Sequence, residues 1–363
     1  MNVSFQSDSD ALILKMYRCR AYCRTLSQRV YVVEPDDMPP RATILLVHGI
    51  CEHPFRHFPV AVDLARVGYQ ILLFDLCGHG LESEQIDPFL WLAQAYLEIT
   101  DAGELTNIIK SRLQDCSEAV ERIWKTHLKC LKKTRMGDHL RQISSIIDDL
   151  SISNSPPFFL AGHSLGGLLA ATAGWELANN GAVHPKGVIL FSPAFRPCAT
   201  PKGGWLEQAI LNLSWASHHH AYLAPLRCII KGFARLNLKQ DVRWITNWIS
   251  DIPEERELQS IDPLILRKVP MGYMASIERQ MVSTIGKGAR YPMDAIIFVP
   301  RDDRIVNAKG AVKFGRDLCA SRDADSSQLL IYDNFWCHEL LRSSKREHVL
   351  DAVYQWLHVH CRN

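Results

Sequence analysis

Gly162-His163-Ser164-Leu165-Gly166 sets a serine between two glycines, behind the apolar run Phe158 to Ala161 and ahead of an alanine-rich segment. That order reads as strand, sharp turn and helix. A turn this tight needs small residues on both sides of the serine, because side chains at positions 162 and 166 would collide with neighbouring backbone. Ser164 is thereby lifted out of the strand with its hydroxyl exposed at a helix N-terminus, where the free N–H of Leu165 can stabilise an oxyanion forming beside it. A serine nucleophile needs a base, and the base needs a group to hold it. Asp303 follows the predicted strand Ala295 to Val299, and His338 follows the predicted strand Leu329 to Tyr332. Ser164, Asp303 and His338 are therefore expected at one edge of a parallel sheet.

A second oxyanion donor is expected where the strand Ala42 to Val47 runs into His48-Gly49, which makes the backbone N–H of Ile50 the candidate. His48 reads as a brace for that loop. His79, in Asp75-Leu76-Cys77-Gly78-His79-Gly80, is the rival base, but with Asp75 it suits local hydrogen bonding across a glycine turn. Cys51 and Cys337 stand next to Ile50 and His338 and either line a pocket or pack as ordinary thiols. His218-His219-His220 invites a metal, yet adjacent residues cannot all face one ion and no Cys or carboxylate stands at ligand spacing, so no metal is expected.

The elements that must position these groups alternate as in an α/β protein. Gln28 to Val33 and Ala42 to Val47 read as neighbouring strands, Phe58 to Arg66 as an amphipathic helix and Gln70 to Phe74 as a buried strand. His139 to Leu150 reads as a crossover helix, Gly187 to Phe191 as the next strand, Lys309 to Ala320 as a helix, and Glu347 to His358 as the closing helix. The connection from Leu81 to Asp138 is far longer than a crossover needs, so it holds an insertion. Ala194 to Gly288, with Trp205, Trp215, Trp244 and Trp248, lacks paired strand signals and reads as a helical cap. Composition is that of an ordinary globular chain, with 47% hydrophobic and 22% charged residues among 363 and a net charge of +2. Neither a signal peptide nor a membrane span is read, and eleven irregularly spaced cysteines suggest a reduced, cytoplasmic chain.

These motifs together resemble monoacylglycerol lipases and bacterial lysophospholipases, members of the α/β hydrolases. Val47-His48-Gly49 with Glu52-His53 and Arg56, Asp75-x-x-Gly78-His79-Gly80, Gly162-His163-Ser164-Leu165-Gly166-Gly167, Asp303-Arg304-Ile305-Val306 and His338-Glu339-Leu340 carry the likeness, and Asp262-Pro263-Leu264 resembles a common cap segment. The resemblance implies a mostly parallel eight-stranded sheet flanked by helices, with a helical cap after the sixth strand. Together with the overlong crossover, this leads to an expected core of 1–83, 138–194 and 289–363, a helical insertion of 84–137 and a cap of 195–288. The resemblance also selects Asp303 over Asp302, through the Arg-Ile-Val that follows. Pro300, where the family usually has Gly, and the insertion are departures, and neither removes a site residue.

The implied chemistry is cofactor-free acyl transfer on the ester of a single-chain lipid, a monoacylglycerol or a lysophospholipid. Thioesterase, general carboxylesterase or amidase activity on the same triad, or a non-catalytic receptor, are the alternatives. A haloalkane dehalogenase or epoxide hydrolase would have Asp where this chain has Ser164. The insertion carries one further expectation. Between Glu118 and Arg135, Val120, Ile123, Trp124, Leu128 and Leu131 form a helical stripe beside Arg122, Lys125, Lys129, Lys132 and Lys133, a pattern suited to peripheral contact with an anionic membrane or to plain packing with solvated lysines. No nucleic-acid partner is expected.

Overall fold

Short aliphatic runs bounded by turns become the strands of a single nine-stranded sheet in the computed structural model, which describes residues 5–6, 12–19, 28–36, 38–81, 89–113, 116–152, 156–181, 183–198, 213, 215–218, 239–322 and 326–361. The sheet strands are β1 (Phe5–Gln6), β2 (Leu12–Cys19), β3 (Gln28–Pro35), β4 (Ala42–Val47), β5 (Tyr69–Phe74), β6 (Phe158–His163) and β7 (Gly187–Phe191). After β8 (Lys239–Asp241) and β9 (Lys268–Pro270), which form a separate ribbon, come β10 (Asp294–Pro300) and β11 (Gln328–Tyr332). The order β1-β2-β3-β5-β4-β6-β7-β10-β11 is parallel from β5 onward, and β1, β2 and β3 add an antiparallel edge. β1 is a two-residue addition to the eight strands expected.

All six residues of β4 and of β6 are buried, as continuous apolar strands covered on both faces must be. Ile44 and Leu46 face one core with α1 (Phe58–Arg66) and α10 (Arg346–His360), while Leu45 and Val47 face a second core with α5 (Met136–Asp149), α6 (Leu165–Asn180) and α9 (Ala308–Cys319). The period-two alternation of side chains thus separates two helical layers. Val47 pairs with Gly162, His163 with Phe191, and Pro300 with Tyr332, so these strands end at one edge and send their loops the same way.

β3 and β4 are not neighbours, contrary to the sequence reading. β3 pairs antiparallel with β5, and β4 lies between β5 and β6, because a strand apolar on both faces takes the sheet interior rather than a hairpin beside its predecessor. β2, absent from the sequence reading, pairs with β3 along eight residues. The segment expected as an insertion forms α2 (Leu90–Glu98), α3 (Ala102–Leu113) and α4 (Ser117–Leu131). Within the cap, the β8–β9 ribbon replaces part of the expected helix, followed by α7 (Pro253–Ile261) and α8 (Met271–Ile285). Trp205, His219 and His220 lie outside the described residues. The expectation of a wholly reduced chain fails at Cys77, which is disulfide-bonded. No helix among the described residues is long and apolar enough to cross a membrane.

Candidate active site

Ser164 caps α6 with φ 53° and ψ −114°, a conformation side chains rarely adopt. The surroundings over-determine it. A Cβ on Gly166 would lie 1.9 Å from the Val47 carbonyl oxygen, and one on Gly162 2.2 Å from that of Gly166, so strand, turn and helix close only with glycine at both. The Ser164 N–H donates to the Phe191 carbonyl at 2.9 Å, and the Ser164 carbonyl accepts from Leu168 and Ala194.

His338 and Asp303 meet at the same edge. His338 Nδ1 lies 2.7 Å from Asp303 Oδ2, both side chains are buried, and His338 Nε2 is sealed from solvent with no hydrogen-bond partner among the described residues. The Ile305 and Val306 N–H groups donate to Asp303 Oδ1, leaving Oδ2 for the imidazole. The adjacent Asp302 is exposed. The backbone at His338 is held by its N–H on the Trp248 carbonyl and by the Ser192 hydroxyl, which donates to the His338 carbonyl at 2.6 Å.

His48 sits where the sequence placed it, as a brace. The Leu76 N–H donates to Nε2 at 3.0 Å, so the ring proton is on Nδ1 and donates to the Gly49 carbonyl at 2.8 Å. Burial lowers its pKa to about 3 and keeps it neutral. His79 contacts the Cys77 carbonyl and packs against His48, with centroids 5.4 Å apart.

Beneath this loop lies a buried polar network that the sequence reading quoted as motif letters without a role. Glu52 accepts from the Gly49 N–H and from His163 Nδ1 at 2.8 Å, with His57 Nε2 3.4 Å away. Burial alone would raise the Glu52 carboxyl, but the His163 and His57 imidazoles outweigh it and hold it well below the usual range. Burial would likewise lower His163, and Glu52 reverses this and raises it. The His163 ring packs 4.8 Å from that of His338. Arg56 donates to Glu339 and Arg342 to Glu255, each at 2.7 Å. His53 Nε2 lies 2.9 Å from Asp262 Oδ2, which also accepts from the Tyr96 hydroxyl. One cap carboxylate thus binds the loop after β4 and the insertion. The signal for all this was Glu52-His53-x-x-Arg56 directly after His48-Gly49, charged residues in a segment that had to be buried.

Ser164, Ile50 and Leu165 line a pocket whose other walls come largely from the cap, among them Val242, Trp244, Met274, Ile277 and Met281. Cys198 and Gln240 also line it, whereas Cys51 and Cys337 are buried elsewhere.

A family model described as serine aminopeptidase S33 matches residues 132–345, and one for the α/β hydrolase fold matches 42–175. The chain belongs to the serine aminopeptidase S33 family of α/β hydrolases. Its fold is shared with a monoacylglycerol lipase of Paleococcus ferrophilus (18% identity, 92% of this chain and 99% of that one, TM-score 0.61). A soluble variant of the monoglyceride lipase of Saccharomyces cerevisiae, in complex with a substrate analog, is similar at 16% identity over 98% and 99% of the two chains, TM-score 0.63. An uncharacterized abhydrolase domain-containing protein of Dictyostelium discoideum is 20% identical over 92% of this chain, which spans only 28% of that relative's length.

In this α/β hydrolase, Glu52, His57 and His163 bring one ligand atom each within 4.8 Å of one another, the kind of cluster that can hold a metal ion. Glu52 is already bound by His163 and by the Gly49 N–H, and Arg56 Nε stands 4.0 Å from its other oxygen. A divalent cation would have to displace these bonds beside a buried guanidinium, so the donors fit an ionised hydrogen-bond network better than a metal centre.

Proposed function

We propose that this α/β hydrolase is a serine esterase that cleaves the carboxylic ester of a single-chain lipid, a monoacylglycerol or a lysophospholipid, through an acyl-enzyme. The observation that carries the reading is Ser164 opening, from a strained elbow, into a largely apolar pocket on the sheet edge that also holds the Asp303–His338 pair. Ser164 Oγ attacks the ester carbonyl as His338 Nε2 takes its proton, and Asp303 fixes the imidazole tautomer and stabilises the imidazolium. The amides of Ile50 and Leu165 receive the oxyanion, each worth about 3 kcal/mol at the transition state. His338 returns the proton to the departing alcohol, and water repeats the sequence on the acyl-Ser164 ester.

An aminopeptidase must also bind a free α-amino group, for which a carboxylate is the natural partner. The described residues lining the Ser164 pocket include neither Asp nor Glu, which favours an acyl ester over a substrate with a free α-amino group. Labelling with a fluorophosphonate, followed by hydrolysis of a panel of monoacylglycerols, lysophospholipids, acyl thioesters and aminoacyl amides, tests the reading. Labelling of Ser164 with turnover confined to aminoacyl amides would reject the lipid ester.

A further inference from the structure

Trp124 and Leu128, one turn apart on α4, join Leu266 of the cap to floor a surface groove of about 560 Å³, whose other lining residues are Arg243, Ser260, Arg267 and Lys268. The α4 stripe is otherwise used for packing: Val120, Ile123 and Leu131 are buried. Trp124 is fixed at the edge of that stripe by its indole N–H, which donates to the Pro263 carbonyl at 2.9 Å. The Arg267 guanidinium lies over the Trp124 ring, 5.9 Å from its centroid.

The cations of this groove are under-compensated. Arg267 is half-buried, and its Nη2 donates to the Ser260 and Asp262 carbonyls, with no carboxylate paired to it among the described residues. A guanidinium whose direct hydrogen bonds go to carbonyls, with the Asp262 and Asp241 carboxylates acting on it only at a distance, retains attraction for an anion. Lys268 is exposed and faces Asp241 across the β8–β9 ribbon, but Asp241 is gripped by Arg243 through both oxygens. Lys132 extends the line of Trp124 and Leu128 by another turn, and Lys125 and Lys129 flank it, all exposed. The groove is separate from the Ser164 pocket, which takes Gln240 and Val242 from the same region of the cap.

We propose that this groove docks the anionic headgroup of a membrane phospholipid and so holds the protein against a bilayer by the junction of α4 and the cap. The cations match a phosphate, and the Trp124, Leu128 and Leu266 floor matches the glycerol and first acyl carbons, a pairing that a free inorganic anion would leave unused. The proposal rests on residues outside the Ser164 pocket and stands independently of the ester reading.

The test is sedimentation of the full chain with vesicles of phosphatidylcholine alone and of phosphatidylcholine mixed with phosphatidylserine. Binding is expected only to the mixed vesicles and should weaken with added salt. Removal of one groove cation weakens it about fivefold, and the charge reversal Lys268→Glu weakens it further. Arg267→Gln also disturbs two carbonyl contacts, so the exposed Lys268→Glu decides, with thermal unfolding as the control for folding. Two results would overturn the proposal: no binding to the mixed vesicles, or Lys268→Glu binding like the parent. Loss of binding in a Lys125, Lys129, Lys132 and Lys133 to Glu variant while Lys268→Glu binds normally would likewise replace the groove with a diffuse basic face.

Discussion

Arg56 donates to Glu339 across 2.7 Å, and neither side chain touches solvent. Glu339 follows His338 directly, and Arg56 lies shortly after Ile50, so the pair fastens the loop of the base to the loop of the oxyanion donor. Burial would raise the Glu339 carboxyl, and Arg56 instead holds it below the usual range. Glu339→Gln should therefore cost about 3–5 kcal/mol of stability, as expected when a buried charge loses its partner. Arg56→Met with Glu339→Leu should recover much of that loss, and denaturant titration of the three proteins checks the order.

Ser164→Ala and His338→Ala should each lower turnover by roughly three to six orders of magnitude with unfolding midpoints little changed, because the groups act as a unit. Asp303→Asn should be crippled and the exposed Asp302→Asn nearly normal. Steady-state kinetics on an ester substrate ranks them, and an inactive His79→Ala beside an active His338→Ala would move the base.

Gly49→Ala should impair catalysis without abolishing the fold. Its Cβ would stand 2.5 Å from Glu52 Oε1 and 3.1 Å from Ser164 Cβ, so the loop carrying the Ile50 amide must shift. Loss of one oxyanion donor corresponds to a fall in kcat of about 10²–10³. A change confined to KM would point to the substrate pocket instead.

Stability should drop as pH falls below about 6.5. Burial lowers His48 to about 3 and His127 and His139 to about 4, and it takes His79 well below its ordinary value. These rings stay neutral in the fold and protonate near pH 6.5 when unfolded, so protons favour the unfolded chain until pH reaches about 4. The contribution of His163 and His360, whose pKa values are raised, is already complete below pH 6.5, whereas Asp75, pushed up to about 8 by burial, takes up its proton in the fold and opposes the trend. Each lowered ring contributes up to about 1.4 kcal/mol per pH unit in that window, so His127→Phe should flatten the slope measured by urea titration at several pH values. An unchanged unfolding free energy down to about pH 5 would contradict this.

The elbow was legible because its requirements are local: Gly162 and Gly166 are forced by backbone oxygens within 2.2 Å of where a Cβ would stand. That Asp303 rather than Asp302 would pair with His338 was legible only through the three residues that follow it, two of which turn out to hold its Oδ1. Long-range pairing was not legible. That β4 lies inside the sheet follows from its apolar run, but which strands flank it does not, because an apolar run names no partner. The β8–β9 ribbon was missed because each strand has three residues, too few for an alternation to show. The charged pairs escaped because sequence proximity gives no hint that Arg56 and Glu339 are in contact.

Asp262 gathers His53 from 209 residues away and Tyr96 from 166 residues away. Until that carboxylate has been synthesised, His53 and Tyr96 lack the acceptor that ties the loop after β4 to the first inserted helix, and His338 is later still. Contacts of such separation form late and slowly. A nascent chain therefore displays its finished elbow at Ser164 before the walls around it exist, with apolar surface open to other chains. Loss of the sequence from Asp262 onward would leave that unsealed state in place of a smaller enzyme.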